Sequence, residues 1–373
     1  MNFLINASNL KAGGGLQVAD SICEELYKFT LHRFVCVLSS ALKETTDRIK
    51  DYENVKVVEY NIGNGVGSLI SGRNDFLDQL VEDEKIGAVL TIFGPSKWKP
   101  CCPHLCGFAR AQLLLTDSPY YQKRTFKEKV LYKIWTRAFK LSSKCFYSEN
   151  PYISSMLPNL LGKDIKVFSV TNYYNQVFDH HEDWKTFKLP KFDGTSLLTV
   201  STFYPHKNLT IAIDIARVLK KKYSDFKFRF VYTIDENDFP TLDASIKEHF
   251  LFIGKVDITE CPSLYQQADI AFQPTLMECF TATYPEAMRM RVPIVTTDLE
   301  FAHGLCGDAA CYYDAINPEA AADAIYKVAK DVNYARILVE DGEKQLLKFD
   351  NYEQRAVKLI KILESLCLED KVC

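Results

Sequence analysis

The sequence predicts an α/β protein built as two Rossmann-like lobes with parallel sheets, and three observations predict it. Short β-branched or aromatic runs of strand length alternate with amphipathic stretches of helical length. The same strand-helix rhythm occurs in both halves, separated at 171–192 (TNYYNQVFDHHEDWKTFKLPKF) by a stretch with no clean period. At about 150 residues per domain, a chain of 373 residues is long enough for two.

In the first half, strands are expected at 2–6 (NFLIN), 33–38 (RFVCVL), 55–60 (VKVVEY), 87–93 (GAVLTIF), 111–116 (AQLLLT), 144–148 and 165–170. Helical patterns fall near 15–28, 67–82, 124–142 and 149–159. In the second half, strands fit 196–201 (SLLTVS), 227–232 (KFRFVY), 250–253 (FLFI), 269–273 (DIAFQ) and 292–296 (VPIVT). Their helical partners are near 207–222, 260–267, 281–290 and 318–347. From Asn351 to Leu366, NYEQRAVKLIKILESL places Ala356, Leu359, Ile360 and Leu363 on one face, as a packing helix does. The expected division is an N-terminal, acceptor-side lobe over 1–170, a connection over 171–192, a donor-side lobe over 193–350 and the packing helix over 351–373. Two such lobes place a ligand in the cleft between them, at the carboxyl ends of the strands.

Composition narrows the function. Hydrophobic residues make up 47% and charged residues 25%, an ordinary globular balance away from disordered composition. Forty-five Lys and Arg against 48 Asp and Glu leave a formal charge of -3, without the basic footprint of a nucleic-acid binder. The 12 cysteines are dispersed, many in apolar runs such as FVCVL, and the first residues read as a strand rather than a leader, so a reducing cytoplasm is expected. No run of eighteen apolar residues is present, and the terminal DKVC does not place its cysteine where prenylation requires it.

Four features fall at strand-to-helix junctions, where an α/β sheet presents its chemistry. In KAGGGLQVADSI (11–22), Gly13, Gly14 and Gly15 either make a tight turn or let the backbone approach an anion at a helix start. In LLTVSTFYPHKNL (197–209), Lys207 stands between a strand and a helix. It is either a solvated lysine or a phosphate ligand, a pairing worth about 4 kcal/mol at about 4 Å and an effective dielectric of about 20, before desolvation. In ADIAFQPTLMECFTATYPEAMRMRVPIVTTD (268–298), Glu278 and Glu286 are eight residues apart around a helix expected to begin near Thr281. Either the helix dipole stabilises both carboxylates, or the N–H groups of Phe280, Thr281 and Ala282 form an anion site flanked by two acceptors. That second geometry suits a diphosphate between hydroxyl-rich rings, which describes a nucleotide sugar. In FGPSKWKPCCPHLCGFARAQ (93–112), His104 is expected on a loop after a strand. A metal site built from Cys101, Cys102, His104 and Cys106 is the alternative there, although zinc usually takes cysteine pairs at wider spacing. The run GNGVGS at 63–68 lacks the preceding turn and acidic partner of a dinucleotide motif.

The segment FLFIGKVDITECPSLYQQADIAFQPTLMECFTATYPEAMRMRVPIVTTD, with VSTFYPHKNL before it and GDAACYYD after it at 307–314, resembles the retaining glycosyltransferases of glycosyltransferase family 4. SVTNYYNQVF (169–178) looks like that family's asparagine-bearing turn between the lobes. The resemblance implies the GT-B type of fold, with lobes facing across a cleft. It implies that Glu286 holds the donor's ribose hydroxyls, that Glu278 faces the transferred sugar and that Lys207 meets the diphosphate. It further implies that Phe280, Thr281 and Ala282 bind phosphate and sugar through their backbone, that Val256 lies beside the nucleobase, that Gly13, Gly14 and Gly15 close over the donor, and that His104 contacts the hexose. Two departures stand out: Ser201 and Thr202 occupy the region where the family often has an arginine before the phosphate lysine, and Arg291 replaces a common glycine.

The expected function is therefore a cytoplasmic, metal-independent retaining transfer of a hexose from a nucleotide-diphosphate sugar to a glycan or lipid-linked saccharide, with no cofactor and no nucleic-acid partner. No D-x-D motif is present to hold a divalent ion. A nucleotide-sugar 2-epimerase of similar architecture and a non-catalytic two-lobed sugar-binding protein are the alternatives. From Lys123 to Lys144 the chain carries eight basic residues and only Glu128 as an acid. Phe126, Val130, Ile134, Ala138 and Leu141 recur there at helical spacing, so the segment either packs that stripe on the N-lobe or sets its basic face against anionic lipid at the inner face of the membrane.

Overall fold

A computed structural model describes residues 1–63, 69, 71–121 and 125–370. Residues 64–68 of the glycine-containing run, Lys123 and Arg124 of the basic stretch, and the last three residues considered for prenylation lie outside that set. The chain divides into two units: Met1–Leu114, Arg124–Asn172 and Asp350–Cys373 form the first, Leu115–Lys123 and Tyr173–Phe349 the second.

The first unit is a parallel sheet with strands β1 (Asn2–Ala7), β2 (Arg33–Leu38), β3 (Val55–Glu59), β4 (Ala88–Thr91), β5 (His104–Gly107), β6 (Cys145–Ser148) and β7 (Lys166–Ser169). Their spatial order is β3-β2-β1-β4-β5-β6-β7. Around it run α1 (Gly14–Glu24), α2 (Lys43–Ile49), α3 (Asp75–Asp83), α4 (Phe126–Ser142), α5 (Pro151–Leu161) and the C-terminal α12 (Tyr352–Asp370). Both faces of the sheet are covered, which is why its strands are continuous apolar runs rather than alternating ones. Phe3 and Ile5 of β1 join α1 and α12 residues in one core, while Leu4 on the opposite face packs with Val35, Leu77 and Trp98. Where the chain leaves and re-enters the unit, Thr171 donates its N–H and hydroxyl to Asp350 at 3.0 and 2.9 Å. Arg355 of α12 is fully buried and bonds both Asn172 and Ser21.

The second unit holds β8 (Thr195–Thr199), β9 (Phe228–Tyr232), β10 (Phe250–Phe252), β11 (Ile270–Gln273), β12 (Ile294–Thr297) and β13 (Ala310–Tyr313), all in parallel pairs and ordered β10-β9-β8-β11-β12-β13. Its helices are α6 (Ile211–Lys222), α7 (Cys261–Tyr265), α8 (Thr283–Arg289), α9 (Glu300–Cys306), α10 (Pro318–Lys330) and α11 (Val332–Leu346). Leu197, Phe230 and Phe272 form the sheet side of a core closed by α6 and α10. In both sheets the connections move outward in opposite directions from the central pair, β1 and β4 in one and β8 and β11 in the other, which creates a topological switch point at the carboxyl ends of those strands.

Several sequence expectations are corrected. The run 111–116 is not a strand: Ala111–Leu113 form a 3-10 turn, and the three leucines are buried without pairing. The strand beside β4 is instead His104–Gly107, placed so close to its neighbour that a Cβ on Gly107 would lie 1.9 Å from the Ile92 carbonyl oxygen. The long helical pattern 318–347 is two helices, because Asp331 caps the second by accepting from the Tyr334 N–H. Helices α2 and α9 and strand β13 were not expected as such. In α4 the stripe at helical spacing divides: Ala138 is buried and Ile134 half-buried, beside the buried Phe139 and Ser142, whereas Phe126, Val130 and Leu141 are exposed. Among the described residues no helix is long and apolar enough to cross a membrane.

Candidate functional site

The switch point of the second sheet brings together two loops from distant parts of the sequence. After β8 the chain turns through the short helix Pro205–Lys207, which ends on Asn208 in the left-handed conformation, φ 53°. After β11 it runs through Thr275 and Glu278 to α8. The loops are tied by the Leu276 N–H, which donates to the His206 carbonyl at 2.8 Å. From them Lys207 Nζ and Glu278 Oε1 approach to 2.5 Å, and the Thr275 hydroxyl donates to the same carboxylate oxygen at 2.9 Å. The two side chains are only 17% and 11% exposed, so water screens the pair far less than a surface ion pair. Burial holds the neighbouring His206 imidazole below its ordinary range, the Glu278 charge opposing and the Lys207 charge adding. Ser118, from the short segment that joins the second unit, donates to the Leu276 carbonyl at 2.7 Å and fixes the loop from its other side.

Glu286 has different surroundings. Helix α8 begins at Thr283, later than the sequence suggests, and Glu286 is buried with its Oε2 accepting from the Tyr265 hydroxyl at 3.0 Å. Burial pushes this carboxyl up to about 7, with the Tyr265 hydrogen bond opposing. One turn on, Arg289 bonds Asp179 at 2.7 Å, and Asp179 accepts from the Tyr174 hydroxyl, so α8 is anchored at its middle and at its C-terminal end. Phe280, Thr281 and Ala282 form the turn that leads into α8. Val256 lies in the loop after β10, half-buried, just beyond Gly254 at φ 72°.

The remaining expected residues belong to the first unit. Gly13 caps α1 at φ 79°, a conformation that an L side chain adopts only with strain, and a Cβ on Gly13 or Gly14 would meet nothing within 4 Å. The backbone there is open. His104 does not sit on a loop: it opens β5 and is buried, with Nδ1 donating to the Ser142 carbonyl and Nε2 accepting from the Thr91 hydroxyl, both at 2.8 Å. Burial lowers it to about 4, so it is neutral and both ring nitrogens are engaged. Cys106 is buried in the same strand while Cys101 is exposed, and among the described residues no group of three or more His, Cys, Asp or Glu gathers as a metal would require.

Of the expected residues, the second unit thus joins Lys207 directly to Glu278. Sequence reasoning missed Thr275 and Tyr265, which orient the two glutamates. Thr275 was findable, three residues before Glu278 at a strand end; Tyr265 lies 21 residues before Glu286, and no local signal marks it.

The fold is that of known glycosyltransferase structures. Sucrose-phosphate synthase from Thermosynechococcus elongatus superposes with a TM-score of 0.69 at 13% identity, covering 98% of each chain. Anabaena HepE in complex with UDP and glucose gives 0.66 at 12% identity, over 98% of this chain and 99% of that one. An α,α-trehalose-phosphate synthase (UDP-forming) from Burkholderia vietnamiensis gives 0.67 at 9% identity, over 98% and 99%. No curated protein sequence matches the chain. Residues 182–345, which hold Lys207, Glu278 and Glu286, match the family model of the glycosyl transferases group 1.

Proposed function

We propose that the protein is a retaining, metal-independent glycosyltransferase that moves a hexose from a nucleotide-diphosphate sugar to a glycan or lipid-linked saccharide, in the cytoplasm. The observation that carries this reading is the Lys207–Glu278 pair at the switch point of the second sheet, inside the segment that matches the glycosyl transferases group 1. On donor arrival the Lys207 ammonium exchanges one anionic partner for another, leaving Glu278 for the diphosphate. Glu278, still oriented by Thr275, then accepts from a hydroxyl of the transferred sugar. Each such charged hydrogen bond contributes about 1.5–3 kcal/mol. Glu286 accepts from the ribose hydroxyls, and the backbone of residues 280–282 meets the phosphates.

In the reaction the acceptor oxygen bonds to the anomeric carbon on the face from which the leaving group departs. The anomeric carbon–oxygen bond to the diphosphate breaks, and the acceptor's proton passes to a diphosphate oxygen. Lys207 stabilises the negative charge that grows on that leaving group, an electrostatic effect worth most where water is excluded. His104 has no part in this scheme, its ring being committed within the first unit.

HepE has been crystallised with UDP-glucose, so a UDP-sugar is the first donor to test. Titration calorimetry with UDP, GDP, ADP and CMP is expected to show micromolar binding of one nucleoside diphosphate, weakened on the order of tenfold or more by Lys207→Ala. Absence of binding by all four, or equal affinity in the variant, removes the assignment.

A further inference from the structure

Helix α4 carries a surface that the proposed chemistry does not use. Thr125 and Glu128 form a capping box at its start, Thr125 N–H donating to Glu128 Oε2 at 2.7 Å and the Glu128 N–H to the Thr125 hydroxyl at 3.3 Å. The only acid of the segment is thereby used as a cap. At about 100° per residue, Lys129, Lys133, Arg137 and Lys140 fall within the same arc of roughly 120° as Phe126, Val130 and Leu141. Those three apolar side chains are 81%, 42% and 40% exposed. Among the described residues none of the four cations forms an ion pair, and the arc contains no carboxylate. A solvated helix face is usually polar; this one mixes bulky apolar groups with positive charge along its whole length, opposed only near its C-terminal end, where Lys140 acts on Asp164. At its C-terminal end lies a cavity of about 510 Å³ whose walls include Lys99, Lys140 and Leu141 together with the carboxylate of Glu369, which pairs with Lys166.

We propose that this face of α4 docks the first unit on an anionic membrane, with Phe126, Val130 and Leu141 in the headgroup–acyl boundary and Lys129, Lys133, Arg137 and Lys140 against the headgroup phosphates. The charge complementarity commits the surface to a bilayer: apolar anchors supply insertion, and the cations supply attraction to anionic headgroups. The inference stands independently of donor chemistry, since no residue of it belongs to the donor site.

Flotation of the full chain with phosphatidylcholine vesicles, alone or containing about one-third phosphatidylglycerol, tests it. Binding is expected only to the anionic vesicles, and it should weaken with added salt. Each cation at such a surface contributes roughly fivefold to partition. The variant Lys133→Glu/Arg137→Glu/Lys140→Glu should therefore lose on the order of a hundredfold or more, and Phe126→Asp/Val130→Asp at least tenfold. All substituted side chains are exposed, and unchanged melting temperature and nucleotide binding show that each variant folds. Equal recovery with neutral vesicles, no recovery with either, or undiminished binding by the cation variant overturns the proposal. So does a wild-type dimer in solution that Phe126→Asp/Val130→Asp dissociates, which would assign the face to a second copy of this chain.

Discussion

Two glutamates eight residues apart look equivalent in the sequence, and their surroundings make them different acids. Glu278 is held by Lys207 and Thr275, whereas Glu286 has a tyrosine hydroxyl and, among the described residues, no ion-pair partner, and burial pushes it up to about 7 from an ordinary 4.5. The folded protein therefore binds a proton at Glu286 more tightly than the unfolded chain does. Its contribution to stability is fully present below about pH 4.5 and is lost as pH rises to about 7. Glu286→Gln keeps an acceptor for Tyr265 and removes the charge. It is expected to leave stability at pH 4.5 unchanged and to raise it at pH 8 by up to about 3 kcal/mol, read by urea denaturation at both pH values. The same variant should bind the nucleoside diphosphate more weakly at pH 8. A stability–function opposition of this kind is expected where a carboxylate is kept for a ligand rather than for the fold. A variant whose stability changes equally at both pH values would show that the carboxyl is not the titrating group.

At the scale of elements, the turn from α8 into β12 explains a departure visible in the sequence. Arg291 stands where the resemblance leads one to expect glycine, and its backbone is left-handed at φ 58°. The guanidinium reaches Glu343, but both groups are largely exposed and such a pair contributes little. Arg291→Gly relieves a Cβ clash worth about 1–2 kcal/mol and adds unfolded-chain entropy worth about 0.4–1 kcal/mol, so a net stabilisation of about 0.5–1 kcal/mol is expected in urea melts, without change in nucleotide affinity. Loss of stability in that variant would assign the Arg291 side chain a packing role. The elements that sequence reading missed were short: β5 and β13 have four residues each, and α2 and α9 seven. Too few residues are present for a period to show, and β5 has no β-branched side chain to mark it. In α4 only part of the expected stripe is covered, at Ala138 and Ile134, because periodicity reports a face but not how much of that face anything covers.

At the scale of the molecule, the chain's two ends meet in the first unit. Leu359, Ile360 and Leu363 of α12 are buried in the core that contains Phe3 and Ile5 of β1, so the first unit is completed only when the last helix is in place. Leu363→Ala is expected to cost about 2–5 kcal/mol in the unfolding of that unit, while nucleotide affinity below the transition, which rests on second-unit residues, stays the same. Urea denaturation followed beside calorimetry checks both halves of this expectation, and a change in stability below about 1 kcal/mol would mean that α12 is dispensable to the core. Sequence alone determined the two parallel-sheet units, most of their strands, and Lys207, Glu278 and Glu286 as residues to watch. Hydrophobic period and strand-end position are local properties, and a chain displays them in order. Only tertiary structure decided that Lys207 and Glu278 touch, that Tyr265 bonds Glu286, that His104 is a buried strand residue, and that Phe126, Val130 and Leu141 of α4 face outward. Contact and burial depend on what the rest of the chain brings alongside, and in a parallel sheet those neighbours arrive from tens of residues away.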